Sequence, residues 1–363
     1  MIKTRYVPGQ IVRAYNVSFR RRIALLAGLL ALLIVLMIWA IQVGSYELSI
    51  VTILRTLVGL EQGAQKIVVW SIRMPRIIAA VLAGCGLGLA GLGTQSLLKN
   101  PLASPFTLGI SQGAAFGAAF AIVFLEAGAM QNSALVREGT NAFAVHRLSV
   151  VTLAAFMGAM TATCVILVLA RLKKMSPESI ILAGVALSSL FTSGTILVQY
   201  FATEIEIATV VFWTFGDVGR AGWTEVGLLS GVVLLVLVYF LFNQWNLNAL
   251  TAGDDVARGV GVSVERLRLC GMFLAALVAA LVTAFLGVIA FLGLLSPHIG
   301  RRLAGADHRL LVPFSCLIGA LLLLAADTVG RVLVGSGTLP VGVLTSFMGA
   351  PLFLFLLLKG LNR

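Results

Sequence analysis

Residues 82–93 read LAGCGLGLAGLG, an apolar segment in which glycine returns every two or three residues. Gly84 and Gly88 are four residues apart, and Gly91 follows closely. Small residues at this spacing let membrane helices approach backbone to backbone, because packing rather than hydrophobicity drives helix association inside a bilayer. The segment therefore predicts a membrane-spanning helix, near residues 77–98, that is buried within a helix bundle.

The composition of the whole chain agrees with a membrane protein. Of its 363 residues, 60% are hydrophobic and 11% are charged, and the mean hydropathy is +1.04. An ordinary soluble domain is about 45–50% apolar and about 25% charged. Geometry limits how much apolar surface a soluble core can hide, so lipid must solvate the excess. We predict an all-α fold, a polytopic bundle of membrane helices.

Apolar runs of about 20 residues, the length that crosses a bilayer, recur along the chain. Candidate spans lie near residues 23–43, 77–98, 107–126, 149–170, 179–201, 225–243, 268–289, 310–330 and 340–358, with a short one near 290–300. The run from Ile23 is too long for a signal peptide and lacks a clean cleavage site. We therefore predict a basic cytoplasmic segment, 1–22, followed by one transmembrane domain, 23–363, of about ten helices.

The basic residues predict the orientation of these spans. With the N-terminus in the cytoplasm, 18 of the 26 lysines and arginines fall on the cytoplasmic side. The eight on the opposite side are Arg55, Lys66, Arg73, Arg76, Arg137, Arg147, Arg220 and Arg331. This bias follows the positive-inside rule and predicts that both termini are cytoplasmic. The net charge of +12 is assigned to membrane orientation rather than to nucleic acid, because no basic soluble module is visible.

Three short motifs match enzyme signatures but lie in unsuitable contexts. Residues 86–91 match the dinucleotide pattern G-x-G-x-x-G in mid-span, where no strand precedes them. Ser111 stands in a G-x-S-x-G pattern, and a membrane serine hydrolase remains an alternative that would need histidine and acidic partners. Ser96 and Lys99 match S-x-x-K without supporting context.

The sequence predicts neither a metal site nor a nucleotide site. The four cysteines lie inside apolar runs without a C-x-x-C pair, and the chain has no H-E-x-x-H motif. No lysine follows a glycine, so the chain lacks a P-loop. We expect no cofactor on this chain and no enzymatic activity of its own. If ATP drives the protein, a partner subunit binds the ATP and its magnesium.

Six segments, taken together, resemble the permease subunits of ABC importers for iron–siderophores, haem and vitamin B12. They are RMPR at 73–76, QSLLKNPLASP at 95–105 with LGISQG at 108–113, LAGVAL at 182–187, GDDVARGVG at 253–261, GLLSPHIGR at 293–301 with DHR at 307–309, and LPVGV at 339–343 with GAP at 349–351. The resemblance runs from about residue 70 to the C-terminus. It implies a type II ABC importer permease fold with ten spans, in agreement with the count of apolar runs.

The resemblance also implies a function and a set of partners. The chain would move a ferric-siderophore-type chelate across the bacterial inner membrane, with haem or cobalamin as alternative cargoes. Its partners would be ATP-binding cassette ATPase subunits, a periplasmic or lipid-anchored substrate-binding protein, and a second permease copy or a homologous permease. An ion-coupled secondary transporter is the rival, but it would need several buried acids or broken helices at mid-depth.

The connection 244–267 contains the segment that would couple ATP hydrolysis to transport. Its residues Asp254 to Arg268 form a polar stretch with two helix-sized pieces, which by itself also suits a solvated loop. The resemblance implies that it docks into a groove of the ATPase subunit, with charged residues at the polar rim of the contact. The candidate coupling residues are Gly253, Asp254, Asp255, Val256, Ala257, Arg258, Gly259 and Gly261.

Arg73, Arg76 and Arg331 fall on the outer side, against the charge bias. They could reach lipid headgroups. The resemblance implies instead that they receive acidic residues of the binding protein, because arginine–carboxylate pairs orient such docking. Asp327, inside a predicted span, lies four residues before Arg331. An i,i+4 ion pair is the favoured explanation, and a proton relay is the alternative.

Four residues are candidates for the inner gate or the pathway. The resemblance places Asn100 and Leu102 in the gate, and Gln95 precedes them in the same motif. The complementary gate position carries Ser176 followed by Pro177, where relatives have a serine–threonine pair. Thr338 also departs from the pattern, because an acidic residue usually precedes Leu339-Pro340.

Overall fold

The computed structural model describes residues 8–44, 46, 48–61, 63–125, 127, 141–173, 176–334 and 339–361, and these contain helices but no strand. The helices are α1 Pro8–Gln42, α2 Ile50–Leu57, α3 Ala64–Lys66, α4 Met74–Leu97, α5 Ile110–Phe124, α6 Asn141–Lys173, α7 Pro177–Tyr200, α8 Glu204–Thr214, α9 Trp223–Phe242, α10 Gln244–Thr251, α11 Asp254–Gly259, α12 Val264–Leu286, α13 Leu292–Ala304, α14 His308–Val334 and α15 Val341–Leu361. The all-α prediction is confirmed.

Ten of these helices match the ten predicted spans. Within the described ranges, seven are long and apolar enough to cross a membrane. Helices α5 and α15 are apolar but shorter, and α13, at 13 residues, corresponds to the predicted short piece. Helix α1 begins at Pro8, before the predicted start at Ile23. Arg13 and Arg20 to Arg22 of the predicted basic segment therefore stand on the same helix as the first span.

Helix α4, which contains residues 82–93, lies at the centre of the bundle. It packs against α14, α12, α13 and α9. A Cβ placed at Gly84 would lie 2.3 Å from the carbonyl oxygen of Gly319 on α14, and one at Gly91 would lie 1.7 Å from that of Gly293 on α13. Only hydrogen at these positions permits such contacts. The close packing predicted from the glycine spacing is confirmed.

An irregular helical segment directly precedes α4. Residues Ile67–Arg73 form a π-helical segment that continues from α3 into α4, and such segments interrupt α-helices mostly at functional sites. Pro75, the second residue of α4, has no backbone N–H to donate into this continuous helix. This segment places Arg73 and Arg76 at the beginning of the central helix.

Polar contacts show that α4 and α14 run antiparallel. At one end of the bundle, Arg76 near the start of α4 bonds Asp327 near the end of α14. At the other end, Ser96 near the end of α4 bonds His308 at the start of α14. We call these the Arg76 end and the Lys99 end. The antiparallel arrangement agrees with the predicted topology, in which α4 and α14 cross the membrane in opposite directions and the Lys99 end faces the cytoplasm. Lys3, Arg5, Arg137, Lys174 and Arg363 of that topology lie outside the described residues.

The predicted spans 268–289 and 290–300 are separated by a short irregular segment. Helix α12 ends at Leu286 and α13 begins at Leu292. Gly287 and Phe291 have positive φ values of 78° and 66°, conformations that interrupt a regular helix. The backbone N–H of Asp217 donates to the carbonyl of Leu286 at 2.7 Å. Irregular backbone within a membrane bundle must be shielded by protein, and this contact satisfies the last carbonyl of α12.

Candidate functional site

The predicted coupling segment forms two short helices, one of which the sequence interpretation missed. Helix α10 occupies the first part of the connection 244–267, where no helix was predicted from the sequence. Helix α11 begins after Gly253, whose φ of 129° reverses the chain. Gly261, with a φ of 89°, turns it again toward α12. The second predicted helix-sized piece, which follows Gly261, is not a separate helix. It forms the beginning of α12 and continues directly into the apolar part of that helix.

Helix α11 has an exposed face and a buried face. Asp255 is fully exposed, and the Arg258 side chain pairs with it at 3.6 Å. Val256 is 53% exposed although it is apolar. Gly259, Val260 and Gly261 are also exposed, whereas Ala257 is buried against the bundle. The exposed face therefore combines apolar and charged groups, as the centre and rim of a protein contact do.

Asp254 points away from that exposed face, contrary to its predicted place at the rim of the contact. Its carboxylate forms ion pairs with Lys99 and, at 3.1 Å, with Arg268. Burial alone raises the pKa of Asp254, but hydrogen bonds from Lys99 and Arg268 and their charges outweigh it, so the pKa is lowered. Two nearby cations attract the carboxylate more strongly than water does, which explains its inward direction.

Gln95 is not at the surface of a pathway in this structure. It is 2% exposed, and its Nε2 donates to the carbonyl of Leu294 at 3.3 Å. Its Oε1 accepts a 2.6 Å hydrogen bond from Arg301. A buried amide needs partners for both its donor and its acceptor, and Gln95 finds both on α13. It therefore joins α4 to α13.

The other candidate gate residues lie at the Lys99 end and are accessible. Asn100 Oδ1 accepts the backbone N–H of Leu102 at 2.9 Å, a turn that leaves Leu102 46% exposed. Ser176 Oγ accepts the backbone N–H of Ser179 at 3.3 Å and caps α7. Pro177 then occupies the first helical position. Thr338 lies outside the described residues.

Arg73 is buried, and its donors are occupied by backbone. It is 4% exposed, and its guanidinium donates to the carbonyls of Ile41 at 2.6 Å, Gln42 at 3.2 Å and Tyr46. The last carbonyls of a helix lack intrahelical partners and attract cations. Arg73 therefore caps the C-terminus of α1.

Asp327 is the centre of a buried ionic cluster at the Arg76 end. It is 2% exposed, and Oδ1 accepts from Arg76 Nε at 2.9 Å and Nη2 at 2.8 Å. Arg331 Nε lies 3.3 Å from Oδ2, while its Nη1 donates to the carbonyl of Val43 at 2.9 Å. The predicted Asp327–Arg331 pair is confirmed. The closer partner, Arg76, was missed because it is 251 residues away in the sequence.

These contacts correct one expectation about the three arginines. Their predicted place on the outer side implies that reversing their charge would leave the fold intact. Arg73 and Arg331 are instead almost inaccessible, and Arg76 is the near partner of a buried carboxylate. Glutamates there would repel Asp327 and leave the carbonyls at the end of α1 without donors. The cluster therefore supports the fold as well as any docking role.

A second buried network at the Lys99 end was not found from the sequence. Ser96 Oγ lies 2.7 Å from His308 Nε2, and His308 Nδ1 lies 2.8 Å from Asn248 Oδ1. Asn248 Nδ2 donates to Asp307 at 2.9 Å. The order serine, histidine, amide resembles a hydrolase triad, but Ser96 and His308 are both buried. The network joins α4, α10 and α14.

The serine-hydrolase alternative finds no support in the described part of the chain. Ser111 is buried, and its Oγ makes no hydrogen bond there, so no base is in contact with it. No group of three or more histidine, cysteine or acidic residues in these ranges could hold a metal ion. The carboxylates of Asp327 and Asp254, at the two ends of the bundle, are instead paired with arginine or lysine side chains.

Comparisons with known proteins give a consistent result. Residues 32–359 match the FecCD transport family. A protein of Methanocaldococcus jannaschii described as an ABC transporter permease is 46% identical over 97% of this chain and 99% of its own length. The Fe(3+)-citrate import system permease YfmE of Bacillus subtilis is 35% identical, with 91% and 93% covered. The hemin transport system permease HmuU of Yersinia pestis is 34% identical, with 92% and 95% covered.

A solved structure shares the arrangement of the helices. It is described as an inward-facing conformation of a metal-chelate type ABC transporter, and it superposes with a TM-score of 0.77 at 29% sequence identity. The match covers 93% of this chain and 99% of that one. The similarity therefore extends over the whole bundle.

Proposed function

The chain belongs to the FecCD transport family and is a multi-pass ABC importer permease, and from this premise we propose that it moves a ferric-siderophore-type chelate across the inner membrane. A partner ATPase supplies the energy, and a substrate-binding protein delivers the chelate at the Arg76 end. Both termini lie in the cytoplasm. A second permease, either a copy of this chain or a homologous one, completes the pathway.

The exposed face of α11 is the observation that carries the proposed coupling role. Val256 on α11 and Val260 directly after it are more than half exposed, beside the charges of Asp255 and Arg258. The helix is short and is fixed to the bundle through Asp254, so it can transmit a displacement instead of absorbing it. This surface suits a groove of the ATPase subunit with an apolar floor and a polar rim.

Docking of the binding protein at the Arg76 end requires a change in the arginine contacts. Arg73 and Arg331 donate to carbonyls in the segment 41–46, and the side chain of Arg76 is 12% exposed. We propose that acidic residues of the binding protein take the place of some of these carbonyls. Arginine suits this exchange because its several N–H donors can serve two acceptors at once.

The chelate is proposed by similarity to relatives with related cargoes. The relatives include importers named for ferric citrate and for haem, and the family as a whole carries siderophore, haem or B12 type substrates. A ferric siderophore is favoured because iron chelates recur among these names. Haem and cobalamin are the alternatives.

Uptake into vesicles tests this function. The permease is reconstituted with its ATPase and binding protein, and the uptake of a labelled ferric siderophore, haem and cobalamin is compared in parallel vesicles. We expect uptake of the siderophore only when ATP and the ATPase are both present. Uptake driven by an ion gradient without the ATPase would contradict the proposal and favour a secondary transporter. ATP-driven uptake of haem or cobalamin alone would overturn only the choice of cargo.

A charge placed on the exposed face of α11 should weaken ATPase binding. We expect Val256→Asp to raise the Kd for the ATPase subunit at least about tenfold, because a carboxylate would be buried in an apolar contact. Titration of the purified permease in nanodiscs with the ATPase subunit measures this change. Val58→Asp is the matched control, since Val58 is also exposed but lies just after α2, toward the Arg76 end. Equal affinities for the two variants would exclude this face as the contact.

A further inference from the structure

Helix α11 is tied to the end of the central helix by a group of ionic contacts. Asp254, its first residue, is held by Lys99 and Arg268. We call Asp254, Lys99 and Arg268 the Asp254 cluster. The side chain of Asp254 is about three-quarters shielded from solvent, whereas that of the next residue, Asp255, is fully exposed. Neighbouring aspartates on one short helix therefore face in different directions, one toward the bundle and one toward solvent.

Both cations of the Asp254 cluster act on the segment that leads to the candidate gate. Lys99 directly precedes Asn100 and has a φ of 50°, a left-handed conformation that is unfavourable for a lysine. Such strained backbone persists when surrounding contacts hold it in place. Arg268 belongs to the start of α12, and its Nε donates to the carbonyl of Leu97 at 3.1 Å. The last turn of α4 and the segment 99–102 are thus connected to α11 through one carboxylate.

A second connection acts in parallel. Asn248 on α10, the helix just before α11, bonds His308, and His308 bonds Ser96 on the last turn of α4. The two short helices are therefore both connected to the end of α4, α11 through the Asp254 cluster and α10 through Asn248 and His308.

We propose that Asp254 is a positioning residue of transport, which links displacement of α11 at the ATPase contact to movement of the segment Lys99–Leu102. This inference rests on the proposed function. Without the carboxylate, α11 could still bind the ATPase through its exposed face. Its displacement would reach the end of α4 only through Asn248 and the intervening backbone, so that ATP would be hydrolysed with little transport.

The number of substrate molecules imported per ATP hydrolysed tests the link. The assembled complex is reconstituted in vesicles with Asp254→Asn or Lys99→Met in the permease. We expect each variant to lower this ratio about tenfold or more, a loss in the range of typical coupling between sites. ATP hydrolysis and ATPase binding should stay close to those of the unaltered complex. A contact that only stabilises the fold would instead lower uptake and hydrolysis together.

Two control variants separate the cluster from its surroundings. Glu204→Gln removes an exposed carboxylate from the first turn of α8, outside the ATPase contact, and Lys99→Arg keeps the positive charge at its position. Both should retain the ratio of the unaltered complex. The inference is overturned if Asp254→Asn and Lys99→Met also retain it. Loss of ATPase binding in either of them would overturn it too, because the cluster would then belong to the subunit contact.

Comparison with the unaltered complex distinguishes this inference from the proposed function. If the unaltered complex shows no ATP-driven uptake of any of the three cargoes, the proposed function fails, and the inference fails with it. If the unaltered complex transports and the Asp254→Asn complex transports with the same ratio, only the inference fails.

Discussion

Asp327→Asn is expected to destabilise the protein by about 3–5 kcal/mol, the usual cost of removing one partner from a buried ion pair. The substitution keeps the shape of the side chain but removes its charge. Arg76, which bonds both carboxylate oxygens, and Arg331, 3.3 Å away, would then share a neutral partner. Arg76 keeps a second carboxylate, Asp217, at 3.6 Å, but Arg331 would lose its ion-pair partner while staying buried, which costs far more than a lost hydrogen bond.

Unfolding in mixed micelles, followed by circular dichroism, measures this effect. Asp255→Asn is the matched control, because it makes the same chemical change at a fully exposed position. A surface substitution of this kind changes stability by no more than about 0.5 kcal/mol. If Asp327→Asn lowered the free energy of unfolding no more than Asp255→Asn does, the buried cluster would not support the fold.

Gly91→Ala is expected to have the second largest effect, at least about 1–3 kcal/mol of destabilisation. Its Cβ would lie 1.7 Å from the carbonyl oxygen of Gly293 and 2.4 Å from its carbonyl carbon. Both atoms belong to backbone, so no side-chain rotation relieves the clash, and α4 and α13 must move apart. Because Gln95 joins the same two helices, the separation would also strain that contact.

Gly231→Ala provides the control for Gly91→Ala. Gly231 is a helical glycine of α9, also within a predicted span, and a Cβ there would meet no atom within 4 Å. Alanine favours a helix over glycine by about 1 kcal/mol, so this variant should be unchanged or slightly more stable. Thermal unfolding in detergent compares the two proteins. Similar midpoints would refute the close contact between α4 and α13.

Much of the fold follows from local features of the sequence. Runs of apolar residues indicate the spans, because a helix must be about 20 residues long to cross a bilayer. The glycine spacing of 82–93 indicates the central helix, because small side chains permit close backbone contacts. Each of these rules depends on residues that are near one another in the chain. The helices that were not predicted, α2, α3, α8 and α10, are too short for the first rule and lack the glycine spacing of the second.

The candidate site was predicted less completely, and the errors share a cause. Asp254 was expected at the rim of a contact and Gln95 in a gate, but both are turned into the bundle by partners from other helices. Arg73 was expected at an outer surface, but it caps α1. A polar residue at the end of a span can face lipid headgroups, water or a neighbouring helix, and the periodicity of its own helix does not distinguish them.

The sequence by itself determined that this chain is a bundle of membrane helices with a buried, glycine-lined helix, and it favoured the Asp327–Arg331 pair over a proton relay. Only the tertiary structure decided that Arg76 is the nearer partner of Asp327, and that Asp254 is held by Lys99, 155 residues away. The i,i+4 pair follows from the helical repeat alone. A buried carboxylate must find a cation, but which cation it finds depends on how helices distant in sequence pack together.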